Sequence, residues 1–216
     1  DKPEPQKIKT GLLGAVLSRD ATSGFYRIEK ILAGQNWDKA LRSPLTAIGV
    51  NARAGDYIIS INGQLTNTLT NIYSVLINTA GKQVTLTLNS TPETEGAREV
   101  LVEPVADESD LYYYDWVRAN IEKVNLASAG KVGYIHIPDM GVGGLNEFVK
   151  HYYPQLRKKA LIIDVRGNGG GSVSAMIIER LRRELVMFEF ALNTATGTDP
   201  GGMLFGPQVM LAEEFT

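Results

Sequence analysis

The chain has 216 residues, 44% of them apolar, enough for one large domain or two small ones with real cores. Its 22 Lys and Arg against 24 Asp and Glu leave a net charge of -2, which gives no electrostatic footprint for nucleic acid or an acidic membrane surface. No apolar run approaches the roughly 20 residues of a membrane span, and the lack of cysteine rules out disulfides and thiolate metal sites while leaving the compartment open.

The opening DKPEPQ reads as a linker over residues 1–10, because Pro3 and Pro5 among charges suit neither a helix nor a central strand. It has no apolar stretch of the kind a secretory signal carries. Next comes GLLGAVLS, residues 11–18, in which Gly11 and Gly14 flank Leu12 and Leu13 ahead of a strand. Amides in such a turn can hold a carboxylate, so that an extended peptide adds to the strand edge with its last side chain beside Leu12, Leu13, Ile72 and Val75. The alternative is an ordinary glycine turn.

Short alternating strands follow at Phe25 to Ile31, Tyr57 to Ile61, Val84 to Leu88 and Val100 to Val105, with glycine, asparagine and proline turns between them. Asn62 and Gly63 suit a two-residue hairpin turn. Leu69, Ile72, Tyr73, Leu76 and Ile77 fall at helical spacing, with Gly81 after them as a stop. Residues 8 to about 105 thus read as a small β-rich module.

After the acidic connector ADESD, Leu111, Tyr114, Val117, Ile121 and Val124 mark a helix over 111–128, with Gly130 near its end. Strand and helix then alternate: a strand at Val132 to Ile137, a helix at Leu145 to Leu156, a strand at Ala160 to Val165, a helix at Ser174 to Leu185 and a strand at Gln208 to Leu211. Runs such as LIIDV between amphipathic helices predict parallel strands covered on both faces. The closing PQVMLAEEFT reads as a buried strand that stops where a functional loop belongs, so both ends look like cuts.

LIIDVRGNGGG, residues 161–171, breaks from strand into bare backbone. Three readings are open at this point. Amides of the glycine loop can stabilise a developing oxyanion, since glycine allows close approach; the loop can be a helix start capped by Ser172 or Ser174; or it can bind phosphate, although the lysine and hydroxyl of a P-loop are missing. Asp164 and Arg166 are expected to pair and order the loop, and PDMGVGG, residues 138–144, either lines a cleft or serves as a connection. No cluster of His, Asp and Glu suggests a metal site, and no cofactor is expected.

Two stretches carry a family resemblance. SPLTAIGVNARAGDYIISINGQ, residues 43–64, resembles the PDZ domains of bacterial and archaeal proteases, with Gly55, Asp56, Ile58, Ile61, Asn62 and Gly63 in their GDxIxxING pattern. KVGYIHIPDMGVGGLNEFVKHYYPQLRKKALIIDVRGNGGG, followed by IIERLRREL and FGPQVMLAEEF, resembles the tricorn protease family within the C-terminal-processing serine peptidases.

The resemblance implies an α/β chain, with a PDZ domain at 11–105 and part of a spiral ClpP/crotonase-like peptidase core at 106–216. It implies peptide-bond hydrolysis by a serine, an oxyanion-hole amide from Gly170 or Gly171, and peptide binding by Gly11, Leu12, Leu13, Gly14, Ile72 and Val75. Glu189 falls loosely where tricorn-type enzymes place an acidic residue that selects basic side chains. The family's serine, in a Ser–Asp pair, falls past GPQVMLAEEFT, and its histidine precedes the PDZ domain. This chain is therefore expected to be inactive alone, with His136 packed in its strand, His151 at a surface or interface, and Ser172 and Ser174 not nucleophiles.

Peptide or unfolded protein substrates, assembly as a homo-oligomer and a cytoplasmic location also follow from the resemblance, with export as the alternative location if a signal was removed. A non-catalytic PDZ protein on a peptidase-like scaffold is the second reading. A crotonase-like acyl transferase is disfavoured by the PDZ segment.

Overall fold

The computed structural model describes residues 8–214, so most of the expected linker lies outside the described residues. Contacts divide the chain into two units, residues 1–116 and 117–216.

The first unit is an antiparallel sheet built from β1 (Ala15–Arg19), β2 (Tyr26–Ile31), β3 (Tyr57–Ile61), β4 (Gln64–Leu65), β5 (Val84–Asn89) and β6 (Arg98–Val102). Its order is β1-β2-β3-β5-β6, with β4 paired to β3. Strand β5 shows why these segments extend: Val84, Leu86 and Leu88 are buried while Thr85 and Thr87 point the other way, the period-two pattern of a half-buried strand. Asn62 and Gly63 take φ values of 48° and 80° and turn β3 into β4, as a two-residue hairpin requires. In β3, Ile58, Ile59 and Ile61 are all buried, which strict alternation forbids. A register shift between Ile58 and Ser60 supplies the extra residue. Asp56 accepts from the Arg53 amide at 3.1 Å and from Arg98 Nη2 at 3.1 Å, fixing the turn before β3.

Two expectations need correction. The helix over 69–77 is a five-residue 3-10 turn, Ile72–Leu76. Asn71 opens it by accepting from the Tyr73 amide, but the Leu76 carbonyl accepts from Gly11 and Ile77 bridges to Thr10, so the chain leaves helical geometry there. The strand expected at 100–105 ends at Val102. Pro104 follows, and Val105 pairs instead with Leu12.

Helix α1 (Ser109–Ala127) spans the division between the units. In the second unit, β7 (Val132–His136), β8 (Ala160–Asp164) and β11 (Gln208–Leu211) form a parallel sheet in the order β11-β8-β7. Helices α2 (Val142–Tyr152) and α3 (Ser174–Leu181) contribute Phe148, Tyr152 and Ile177 to a core with Ile135, Ile137, Leu161 and Ile163. Phe148 and Tyr152 stack with ring centroids 4.7 Å apart. Helix α3 stops four residues before the expected Leu185, which is exposed; with no further apolar side chain in the core, another turn has nothing to hold it. A small hairpin pairs β9 (Met187–Glu189) with β10 (Gly197–Asp199). The expectation that β11 is buried is also corrected: Val209, Met210 and Leu211 are exposed because β11 is the sheet's edge strand.

Candidate functional site

Ligands of open α/β sheets gather at the carboxyl ends of the strands, and there the loops after β7 and β8 meet. The Met140 amide donates to the Gly170 carbonyl at 2.9 Å, and the Met140 carbonyl accepts from the Val173 amide at 2.8 Å. PDMGVGG therefore runs beside the glycine loop. Asp139 holds it in place by accepting from the amides of Gly141, at 2.6 Å, and Gly144, at 3.1 Å, at the start of α2.

Within the loop the glycines do different things. Gly170 has a φ of 85°, open space where a Cβ would lie, and an amide that donates to Asn168 Oδ1 at 2.8 Å. Asn168 is buried and anchored through its Nδ2 to the Ile137 carbonyl at 2.9 Å. Gly171 has a φ of 149°, and a Cβ there would lie 2.2 Å from the Met140 carbonyl oxygen. Gly171 is an exposed residue, and its amide has no acceptor among the described residues. The two candidates thus differ: the Gly170 N–H is spent inside the loop and the Gly171 N–H is available.

The loop is clamped from below. Asp164 is fully buried and accepts from Tyr134 Oη at 2.6 Å, from the Arg166 amide at 3.1 Å, and from Arg166 Nε and Nη2 at 2.9 and 2.5 Å. Burial alone raises a carboxyl pKa, but the bonds from Arg166 and Tyr134 outweigh it and hold Asp164 at about 2. Burial, followed by the bond to Asp164, pushes the Tyr134 phenol up. His136 is buried, with Nε2 3.0 Å from the Arg166 carbonyl, and Glu213 accepts from the Gly167 amide at 2.7 Å. The carboxylate at Asp164 is thus a fixed anion that shapes the loop.

Ser172 is exposed and Ser174 opens α3, whose N-cap is Val173 and which receives no side-chain cap bond, so neither serine is a cap. His151 is partly buried, with Nε2 3.3 Å from Glu147 Oε2 in the preceding turn. Glu189 is exposed on β9, opposite Gly197. Among the described residues no group of His, Asp and Glu is arranged to hold a metal ion, and no helix is long and apolar enough to cross a membrane.

In the first unit, the Gly11 and Leu12 amides donate to Leu76 and Val105 carbonyls at 2.8 Å each. Gly14, at a φ of 69°, donates its amide to Glu108 Oε2 at 3.1 Å. Leu13 and Ile72 are buried in the core, while Leu12 and Val75 are partly exposed.

Residues 11–107 match the family model described as the tricorn protease PDZ domain, and residues 131–183 match peptidase family S41. Tricorn protease homolog 1 of Streptomyces coelicolor is 36% identical over 208 residues, 96% of this chain and 19% of that protein. The tricorn protease homolog of Saccharolobus solfataricus is 39% identical over 193 residues, 89% of this chain and 17% of that protein. A structure titled as the crystal structure of the tricorn protease shares the fold with a TM-score of 0.84 at 30% identity, covering 96% of this chain and 20% of that one. This chain belongs to the tricorn protease family.

It spans about a fifth of the length of these relatives. Its fold is the mixed α/β arrangement expected, a PDZ-like antiparallel sheet and a parallel sheet with helices. Sequence reasoning about this tricorn-family chain missed Asn168, Asp139 and Glu108. Asn168 sits in the glycine run itself, and Asp139 precedes Gly-Val-Gly-Gly at a helix start, a local signal for an Asp turn. Glu108 had no such signal, since its partner Gly14 is 94 residues away.

Proposed function

We propose that this chain is part of a serine-type peptidase of the tricorn kind, in which residues 11–105 are a PDZ domain that binds the C-terminal segments of peptides or unfolded proteins. Residues 106–216 are the portion of the catalytic core that carries the oxyanion hole. The observation that carries this reading is the unengaged N–H of the exposed residue Gly171, in the loop after β8 that is fixed from three sides by Asn168, Met140 and the Asp164–Arg166 clamp.

Acyl transfer places negative charge on the scissile carbonyl oxygen, and one amide fixed in advance is worth on the order of 3 kcal/mol in the transition state. Gly171 is the donor, and Gly170 supplies the backbone turn and the Asn168 bond that aim it. The nucleophile and its base come from other parts of the longer protein, because Ser172 and Ser174 have no histidine bonded to them among the described residues. Glu189 selects basic side chains, and the assembled enzyme is a homo-oligomer.

The 216-residue chain alone is expected to leave fluorogenic peptides intact, whereas a longer protein containing the Ser–Asp pair cuts them. Hydrolysis by the 216-residue chain, or none by the longer protein, contradicts the proposal.

A further inference from the structure

The turn that would hold a peptide carboxylate already holds one. The Gly11 and Leu12 amides are spent on main-chain carbonyls, and the Gly14 N–H donates to the half-buried Glu108 carboxylate at 3.1 Å. Glu108 immediately precedes α1. Three residues on, fully buried Leu111 lies so close that its Cδ1 is 3.3 Å from where a Gly14 Cβ would be. Burial first, and then the Glu108 charge, pushes the Tyr73 and Tyr112 phenols up. The first half of α1 is tied to the sheet side by Lys30 Nζ to Asp115 Oδ2 at 2.5 Å and by Gln35 Nε2 to Tyr114 Oη at 3.0 Å.

Gly14 directly precedes β1, and β1 is the terminal strand of its sheet. A peptide added antiparallel to the free edge of β1 therefore ends beside Gly14, at the place Glu108 and Leu111 fill. We propose that the start of α1 is a resident ligand of this turn: Glu108 supplies the carboxylate and Leu111 the apolar side chain that a peptide C-terminus would bring. An outside peptide binds only by displacing them. The inference rests on the peptide-recognition reading above and adds its regulation. Competition of this kind lowers apparent affinity by the fraction of molecules in which the turn is vacant.

The test follows the Gly14 amide by proton–nitrogen NMR in the 216-residue chain, titrated with a short peptide ending in leucine with a free carboxylate and with the same peptide as its C-terminal amide. Glu108→Ala is expected to bind the free-carboxylate peptide about 10-fold tighter than the parent, with the Gly14 signal shifting and no gain for the amidated peptide. Glu108→Gln keeps a neutral acceptor for Gly14 and is expected to fall between the two. It also serves as the comparison if Glu108→Ala is poorly folded. Equal affinity for the parent and the Glu108 variants, with Gly14 responding in each, overturns the resident ligand and leaves peptide recognition standing. Failure of every variant to bind either peptide overturns peptide recognition itself, and the inference falls with it.

Discussion

Asp164 ends β8 without solvent exposure and survives there as an anion because four donors converge on it. Its ordinary pKa of 3.8 falls to about 2 in the folded chain. The sign follows from linkage: the stability this ion contributes is fully present above its unfolded pKa and is lost as pH falls through the folded value. Asp164→Asn is expected to cost about 2 kcal/mol in urea unfolding, below the roughly 3–5 kcal/mol for breaking a fully buried pair because Arg166 is 43% exposed. It should also flatten the loss of stability between pH 4 and 2 that the parent shows. An unchanged acid profile contradicts the assignment. The Asp164–Arg166 pairing was legible in the sequence because the two residues are neighbours. Tyr134, 30 residues away on β7, was not, since only the parallel register that sets His136 opposite Asp164 brings that strand alongside.

At the scale of elements, the glycine loop was recognisable from its composition, but the separate duties of its glycines were not. Gly171 is glycine because the Met140 carbonyl occupies the place of a side chain, while Gly169 faces open space without a positive φ. Gly171→Ala should therefore destabilise the second unit by about 2 kcal/mol through forced displacement of the loop after β7, and Gly169→Ala should stay within about 0.5 kcal/mol of the parent. Thermal unfolding of the two variants side by side checks this, and equal losses contradict it. The strands of the first unit were readable because period-two alternation is strong in segments such as β5. The five-residue turn at Ile72–Leu76 was misread as a longer helix because Leu69, Ile72, Leu76 and Ile77 keep helical spacing. The departure comes from the pairing of Leu76 and Ile77 with residues 10 and 11, which no local pattern announces.

For the whole molecule, the change from short alternating strands to alternating strands and helices is visible in the sequence, and contacts divide the chain between Trp116 and Val117, inside α1. Strand β11 carries exposed Val209 and Met210 at an edge with no further strand among the described residues. Such an edge is a template for pairing. The 216-residue chain is expected to self-associate with rising concentration in sedimentation velocity, and Val209→Lys to shift it toward monomer; a monomer at all concentrations contradicts this.

The most direct test of the catalytic reading is a serine-directed fluorophosphonate probe applied to a longer protein containing this chain, with the labelled site located by peptide mass. The proposal predicts one modified serine outside these 216 residues, in a Ser–Asp pair, with Gly171 as its oxyanion donor. No labelling, or labelling of Ser172 or Ser174, contradicts it.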